Sequence, residues 1–216
     1  GTGKTETLAK IALAHLDKGY RVLMLSYSNV SVDGAVWRVF NKDTQKQPGR
    51  IVRYGYPRDN ELLQHDYLSS YRLTLMNHPD LLGERMSLIE ERKKLTRFSA
   101  RYAEIGDRLS KIKKFLQTEE KAAVPHASFV ATTVSKAIVD QIIYTGQFDT
   151  VIFDEASMAY IPQIVFSASL AKKHFVCMGD FCQLPPIVQS DDTCSLNADI
   201  FKYCGIVDAV SSGYGH

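Results

Sequence analysis

"GTGKTETLAKIALAHLDKGYRVLMLSYS", residues 1–28, decides the fold. It opens with two glycines around a threonine, then Lys4 and Thr5. Leu8, Ile11, Ala12 and Leu16 follow at helical spacing, and Gly19 reads as a stop. The apolar run "RVLMLSYS" then has strand length. A glycine turn feeding a helix and then a buried strand begins an α/β chain with a parallel sheet. Working outward, "NVSVDGAVWRVF" predicts a second helix and "RIVRYG" a second strand. After Pro125 the alternation resumes. "ASFVATT" reads as strand, "VSKAIVDQII" as helix, "DTVIFDEAS" as strand, "IPQIVFSASLA" as helix and "KHFVCMGD" as strand.

Between these stretches the pattern changes. Residues 61–121 are rich in Leu, Arg, Lys and Glu and carry no strand signal, so they read as a helical insertion into a sheet domain built from 1–60 and 122–216. Leu95, Phe98, Tyr102, Ile105, Leu109, Ile112 and Leu116 alternate by three and four, which predicts a heptad seam on one long helix. A seam needs a partner stripe. Leu63, Tyr67, Leu68, Tyr71 and Leu75 supply one if the chain folds back near Pro79 and Gly83 as a hairpin, and tethering favours that local partner. A dimer contact or a docking arm for a protein partner is the alternative. From Glu84 to Lys121, eleven Lys and Arg face seven Asp and Glu, an excess that serves either a solvated helix face or a nucleic-acid contact.

Bulk properties narrow the class. The 216 residues carry a formal charge of +2, and 45% are hydrophobic, enough for a globular core. No apolar run approaches the roughly 20 residues of a membrane helix. No secretion leader is visible, and Cys177, Cys182, Cys194 and Cys204 form no metal-binding spacing. The expectation is an intracellular chain, cytoplasmic or nuclear and not secreted, with free thiols and a buried Cys177.

The chemistry gathers at strand ends. Gly3-Lys4-Thr5 completes the pattern G-x-x-x-x-G-K-[ST], in which backbone N–H groups and a helix N-terminus face phosphate oxygens. There the lysine reaches the β- and γ-phosphates and the hydroxyl ligates Mg²⁺. Ligands of an open parallel sheet bind at its carboxyl edge, where "VIFDEAS" places Asp154 to hold hydrated Mg²⁺ and Glu155 to orient and deprotonate a water. In "GDFCQLPP", Gln183 has an amide suited to a γ-phosphate oxygen or the attacking water. Alone, each of these stretches also reads as an ordinary turn, loop or cap.

"GTGKT", "SYSNVSVD", "IVRYG", "FVATTVSKA", "VIFDEAS" and "CMGDFCQLPP" occur in the order and at about the separations of superfamily 1B helicases. The chain most resembles their up-frameshift, or nonsense-mediated-decay, group. The resemblance implies a RecA-like P-loop parallel sheet flanked by helices, the first of two motor domains and truncated at both ends, with the 61–121 insertion where those proteins carry one. It implies ATP and Mg²⁺ as ligands, with Lys4, Asp154, Glu155 and Gln183 catalytic. Gly1, Thr2, Gly3, Lys4, Thr5, Glu6, Arg53 and Gln183 then bind nucleotide, and Thr5 and Asp154 hold the metal. Ser28, Asn29, Asp33, Thr132 and Thr133 match positions touching a nucleic-acid backbone, and small polar groups suit contacts indifferent to sequence. At least one residue of "SNVSVD" is also expected to cap a helix. Tyr27 stands where relatives carry a smaller residue. The implied activity is ATP-driven movement on single-stranded DNA or RNA, together with a second RecA-like domain. A non-motor P-loop switch acting through the insertion, or an interaction protein built on the heptad seam, are the other classes.

Overall fold

The computed structural model describes residues 3–180, 182, 186 and 199–211. Five parallel strands form one sheet in the order β2-β3-β1-β4-β5, with β1 Val22–Ser26, β2 Ile51–Arg53, β3 Phe129–Thr133, β4 Phe148–Asp154 and β5 Ala171–Cys177. All five follow the expected strand runs. The central strands are buried on both sides, which is why they read as uninterrupted apolar stretches rather than alternating ones.

Alternate residues of β1 serve opposite faces. Val22 and Met24 join the core made with α1 (Lys4–Leu16) and α2 (Asn29–Lys42), through Leu8, Ala12, Val32, Val36 and Val39. Leu23 and Leu25 join a second core with α7 (Val134–Val139), α8 (Gln141–Tyr144) and α9 (Ile161–Ser169), through Val134, Ala137, Ile143 and Ile164. The expected single helix "VSKAIVDQII" is two, because Asp140 leaves helical geometry and caps the second by accepting from the Ile142 amide at 3.4 Å. Two short helices, α10 (Ile200–Tyr203) and α11 (Ile206–Ser211), follow β5.

Between β2 and β3 lie α3 (Asn60–Gln64), α4 (Ser70–Asn77), α5 (Pro79–Lys93) and α6 (Ala100–Ala122). Leu75 of α4 meets Ile112 and Leu116 of α6 in a third core, flanked by Tyr71, Leu82 and Leu88. The chain does fold back here, with three corrections. The seam is not one helix from Leu95: Ser99 accepts from the Tyr102 amide and starts α6, so Leu95 and Phe98 fall in the preceding turn and Phe98 is fully exposed. Nor is Gly83 a break. Pro79 takes the first position of α5, where its missing N–H costs nothing, and Gly83 lies inside that helix. Leu68 leaves the expected partner stripe for the main core beside Leu62.

Helices α4 and α6 are fastened to the sheet edge by polar contacts. Ser70 donates to the Arg53 carbonyl at 2.9 Å and also to Glu120 of α6. Tyr54, just past β2, donates to Asp140 at 2.6 Å, and Lys121 of α6 meets the same carboxylate at 3.3 Å.

Candidate nucleotide site

Parallel register lines up the strand ends. Ser26 of β1 stands opposite Thr133 on one side and Asp154 on the other. The apolar body of β4 fixes Asp154 at the carboxyl edge, since Val151, Ile152 and Phe153 are all fully buried below it. Beside it, α1 starts from Gly3, whose φ of 75° is the left-handed turn glycine adopts freely. The Leu8, Ala9, Ala12 and Leu16 stripe holds α1 against the sheet, so the first helical turn points its free N–H groups over the strand ends.

The result is a cleft of about 210 Å³ lined by Lys4 and Thr5 from α1, Ser31 and Gly34 from α2, and Asp154, Glu155, Ser157 and Asp180. The Lys4 ammonium lies 3.5 Å from the Asp180 carboxylate. Burial pushes the Asp154 carboxyl above its ordinary range; the Glu155 amide and Lys4 pull against it, while the charge of Glu155 adds to the push. A carboxylate so placed gains most from a nearby cation. With the Thr5 hydroxyl, and with water and phosphates for the remaining ligands, it is a donor set that suits Mg²⁺, a hard ion that keeps several waters.

Glu155 is held in an uncommon way. Its backbone is left-handed at φ 58° and ψ 37°, a region that costs a non-glycine residue about 1–3 kcal/mol. The neighbours enforce it: the Ala156 amide donates to the Met178 carbonyl at 2.9 Å, and the Met158 amide to the Glu155 carbonyl at 3.0 Å. Ser26 donates its hydroxyl to Oε2 of Glu155 at 3.3 Å. Past β5, Gly179 lets the chain press on this turn. A Cβ there would lie 2.6 Å from the Phe201 ring and 3.0 Å from the Ser157 nitrogen.

The structure thus brings together Lys4, Thr5, Asp154 and Glu155, with Gly3 at the helix start. Gly1, Thr2 and Gln183 lie outside the described residues. Glu6 turns away to α2, where it meets Lys42 at 2.6 Å and Arg38 at 3.6 Å. Arg53 is 1% exposed and is absent from the cleft lining. Its guanidinium donates to Asp33 at 2.6 Å, to Asn29 at 2.8 Å and to the Tyr54 carbonyl at 2.6 Å. Asp33 also accepts from the Arg58 and Asp59 amides at 2.7 and 3.1 Å. These bonds tie the partly buried Asn29 to the buried Asp33 and Arg53 in one knot at the start of α2. Ser28 caps α2 by accepting from the Ser31 amide at 3.1 Å, as a residue of "SNVSVD" was expected to do, and Thr133 caps α7 by accepting from the Lys136 amide at 3.3 Å. Thr132 is fully buried, and its hydroxyl has no partner among the described residues.

Sequence reasoning passed over two cleft-side residues. Asp180 carries a signal, an acid closing a strand that ends beside a phosphate loop. Ser26 carries none, because a serine at a strand end is ordinary. The expected buried thiol at Cys177 is partly buried, and burial raises its pKa to about 11; Cys177, Cys182 and Cys204 are all free.

Comparison with known proteins adds lineage to this geometry. The family described as AAA domain matches residues 1–191. DNA polymerase alpha-associated DNA helicase A of Saccharomyces cerevisiae is 30% identical over 213 residues, covering 89% of this chain and 30% of that protein. DNA-binding protein SMUBP-2 of Mus musculus is 28% identical over 201 residues, covering 88% and 20%. The DNA replication ATP-dependent helicase/nuclease DNA2 of Saccharomyces cerevisiae is 28% identical over 197 residues, covering 88% and 10%. The chain therefore spans at most 30% of the length of these relatives.

Proposed function

The chain belongs to the AAA domain family, in the superfamily 1 helicase lineage that its motifs resemble, and from that premise we propose that it is the ATP-binding half of a nucleic-acid helicase or translocase. One observation carries the reading: Lys4, Thr5, Asp154 and Glu155, from two distant stretches of the sequence, line a single cleft at the carboxyl edge of the sheet. Lys4 binds the β- and γ-phosphates of ATP after giving up its contact with Asp180. Thr5 and Asp154 would hold a magnesium ion, which when bound offsets phosphate charge. Glu155 accepts a proton from the attacking water. Phosphoryl transfer asks little more of a protein than this positioning and charge.

The nucleic acid is single-stranded and crosses the same sheet edge near Ser28 and Thr133, whose hydroxyls bond phosphate oxygens without reading bases. The names of the relatives favour DNA over RNA. In this reading, residues 1–60 and 122–216 form the motor domain, 61–121 its helical insertion, and a second RecA-like domain closes over the nucleotide. Among the described residues no helix is long and apolar enough to cross a membrane.

Lys4→Ala in the full-length protein tests the proposal. ATP turnover in the presence of single-stranded nucleic acid falls by about 10²–10³-fold, the cost of removing one charge-stabilising donor, and binding of a fluorescent ATP analogue weakens with it. Turnover at the wild-type rate would overturn the assignment.

A further inference from the structure

The apolar run of β1, Val22 to Leu25, ends in a serine that is 0% exposed. A hydroxyl at such a position packs less well than the valine or leucine a buried strand prefers. Polar groups buried in this way are kept paired. The Ser26 hydroxyl donates to Oε2 of Glu155 at 3.3 Å, across the seam where β1 meets β4. Glu155 needs an anchor. Its backbone sits in the left-handed region, and its side chain is long and rotamer-rich. No other described side chain donates to its carboxylate.

We propose that Ser26 is a positioning residue for the phosphoryl-transfer site: its buried hydroxyl tethers one carboxylate oxygen of Glu155 and so presents the other to the attacking water. The claim rests on the reading of Glu155 as the water-activating group. It adds that the aim of this carboxylate is set by the end of β1, from which the chain passes directly through Tyr27 to the Ser28 cap of α2. Ser26 itself is not among the residues lining the cleft, so it acts only through Glu155.

The test uses Ser26→Ala and Glu155→Gln in the full-length protein, with ATP turnover at saturating single-stranded nucleic acid and affinity for a fluorescent ATP analogue as readouts. A general base contributes about 10²–10⁴-fold. Loss of its tether forfeits part of that, so kcat of Ser26→Ala falls about 10-fold or more, while KM and nucleotide affinity stay within about twofold of wild type. A role confined to packing moves affinity and thermal stability together with kcat, and that pattern overturns the proposal. So does wild-type kcat in Ser26→Ala when Glu155→Gln is inactive; the broader assignment then stands without the tether. Wild-type turnover in Glu155→Gln removes the premise itself.

Discussion

Two stretches of the same sheet edge treat charge in opposite ways. At the corner past β2, the buried charged groups are answered. Arg53 meets Asp33, Asn29 and a carbonyl, and Asp33 meets two backbone amides besides. Asp140 meets Tyr54, Lys121 and Lys136. In the cleft between α1 and β4, charge is left short. Asp154 is 6% exposed with its carboxyl pushed upward, and among the described residues the Lys4 ammonium has just a 3.5 Å contact with Asp180. The first region is finished without a ligand, whereas the second, in the function proposed above, is completed by one. The contrast separates residues that fold the edge from residues that use it, and substitutions in the two places should move stability in opposite directions.

The largest effect belongs to Arg53→Ala. Burial pulls the guanidinium pKa below its ordinary value, and the Asp33 bond offsets only part of that. Removing one partner strands Asp33, 4% exposed, among groups arranged for a salt bridge. Breaking a buried pair costs about 3–5 kcal/mol. Urea unfolding of the variant should show that loss, and Arg53→Ala with Asp33→Ala should recover part of it. An unchanged midpoint in the single variant would show that the corner is not structural.

Tyr54→Phe comes next. Burial and the bond to Asp140 push the phenol well above its ordinary range. Burial raises Asp140 as well, but the Tyr54 bond and the two lysines outweigh it and hold the carboxyl below its usual value. Losing a hydrogen bond to a charged group costs about 1.5 kcal/mol here, at the low end because the lysines remain. A depressed carboxyl lends stability above its unfolded pKa and loses it as pH falls. The penalty of Tyr54→Phe therefore shrinks when unfolding is measured below about pH 4. A penalty independent of pH would place the tyrosine's contribution in packing alone.

What the sequence made legible, and what it hid, divides along the same line. Runs such as Val22–Leu25 and Val151–Phe153 read as strands because burial on both faces demands unbroken apolar residues. Lys4, Thr5, Asp154 and Glu155 were legible because phosphate chemistry fixes local spacing. The pairing of Arg53 was not, because the resemblance alone assigned it to the nucleotide, and its carboxylate partner lies 20 positions away on another element. Pairings of that kind are set by packing, which a linear pattern does not encode. Phe98 misled for a related reason: heptad counting runs through Ser99, whose cap restarts the helix. Asp140 did likewise within "VSKAIVDQII". Ser26 was silent, since only the left-handed backbone of Glu155 gives its hydroxyl a task.

The smallest effect on stability, and the most discriminating, is that of Asp154→Asn. For this carboxyl the folded-state pKa lies above the ordinary 3.8, with burial the largest cause. Between those two values the folded chain binds more protons than the unfolded one, so stability declines as pH rises through the window and stays reduced above it. Wild type thus carries a constant penalty at neutral pH and none well below the ordinary value. Asparagine cannot ionise and escapes the penalty. Without magnesium, the variant should melt higher than wild type at neutral pH, and its advantage should vanish as pH drops below about 4. Its ATP turnover should be lost over the whole range. Such a trade of stability for activity is expected of a group kept for its ligand rather than for the fold. A variant that instead melts lower at neutral pH would mean Asp154 is braced like Asp33, and the distinction between the two stretches of the edge would collapse.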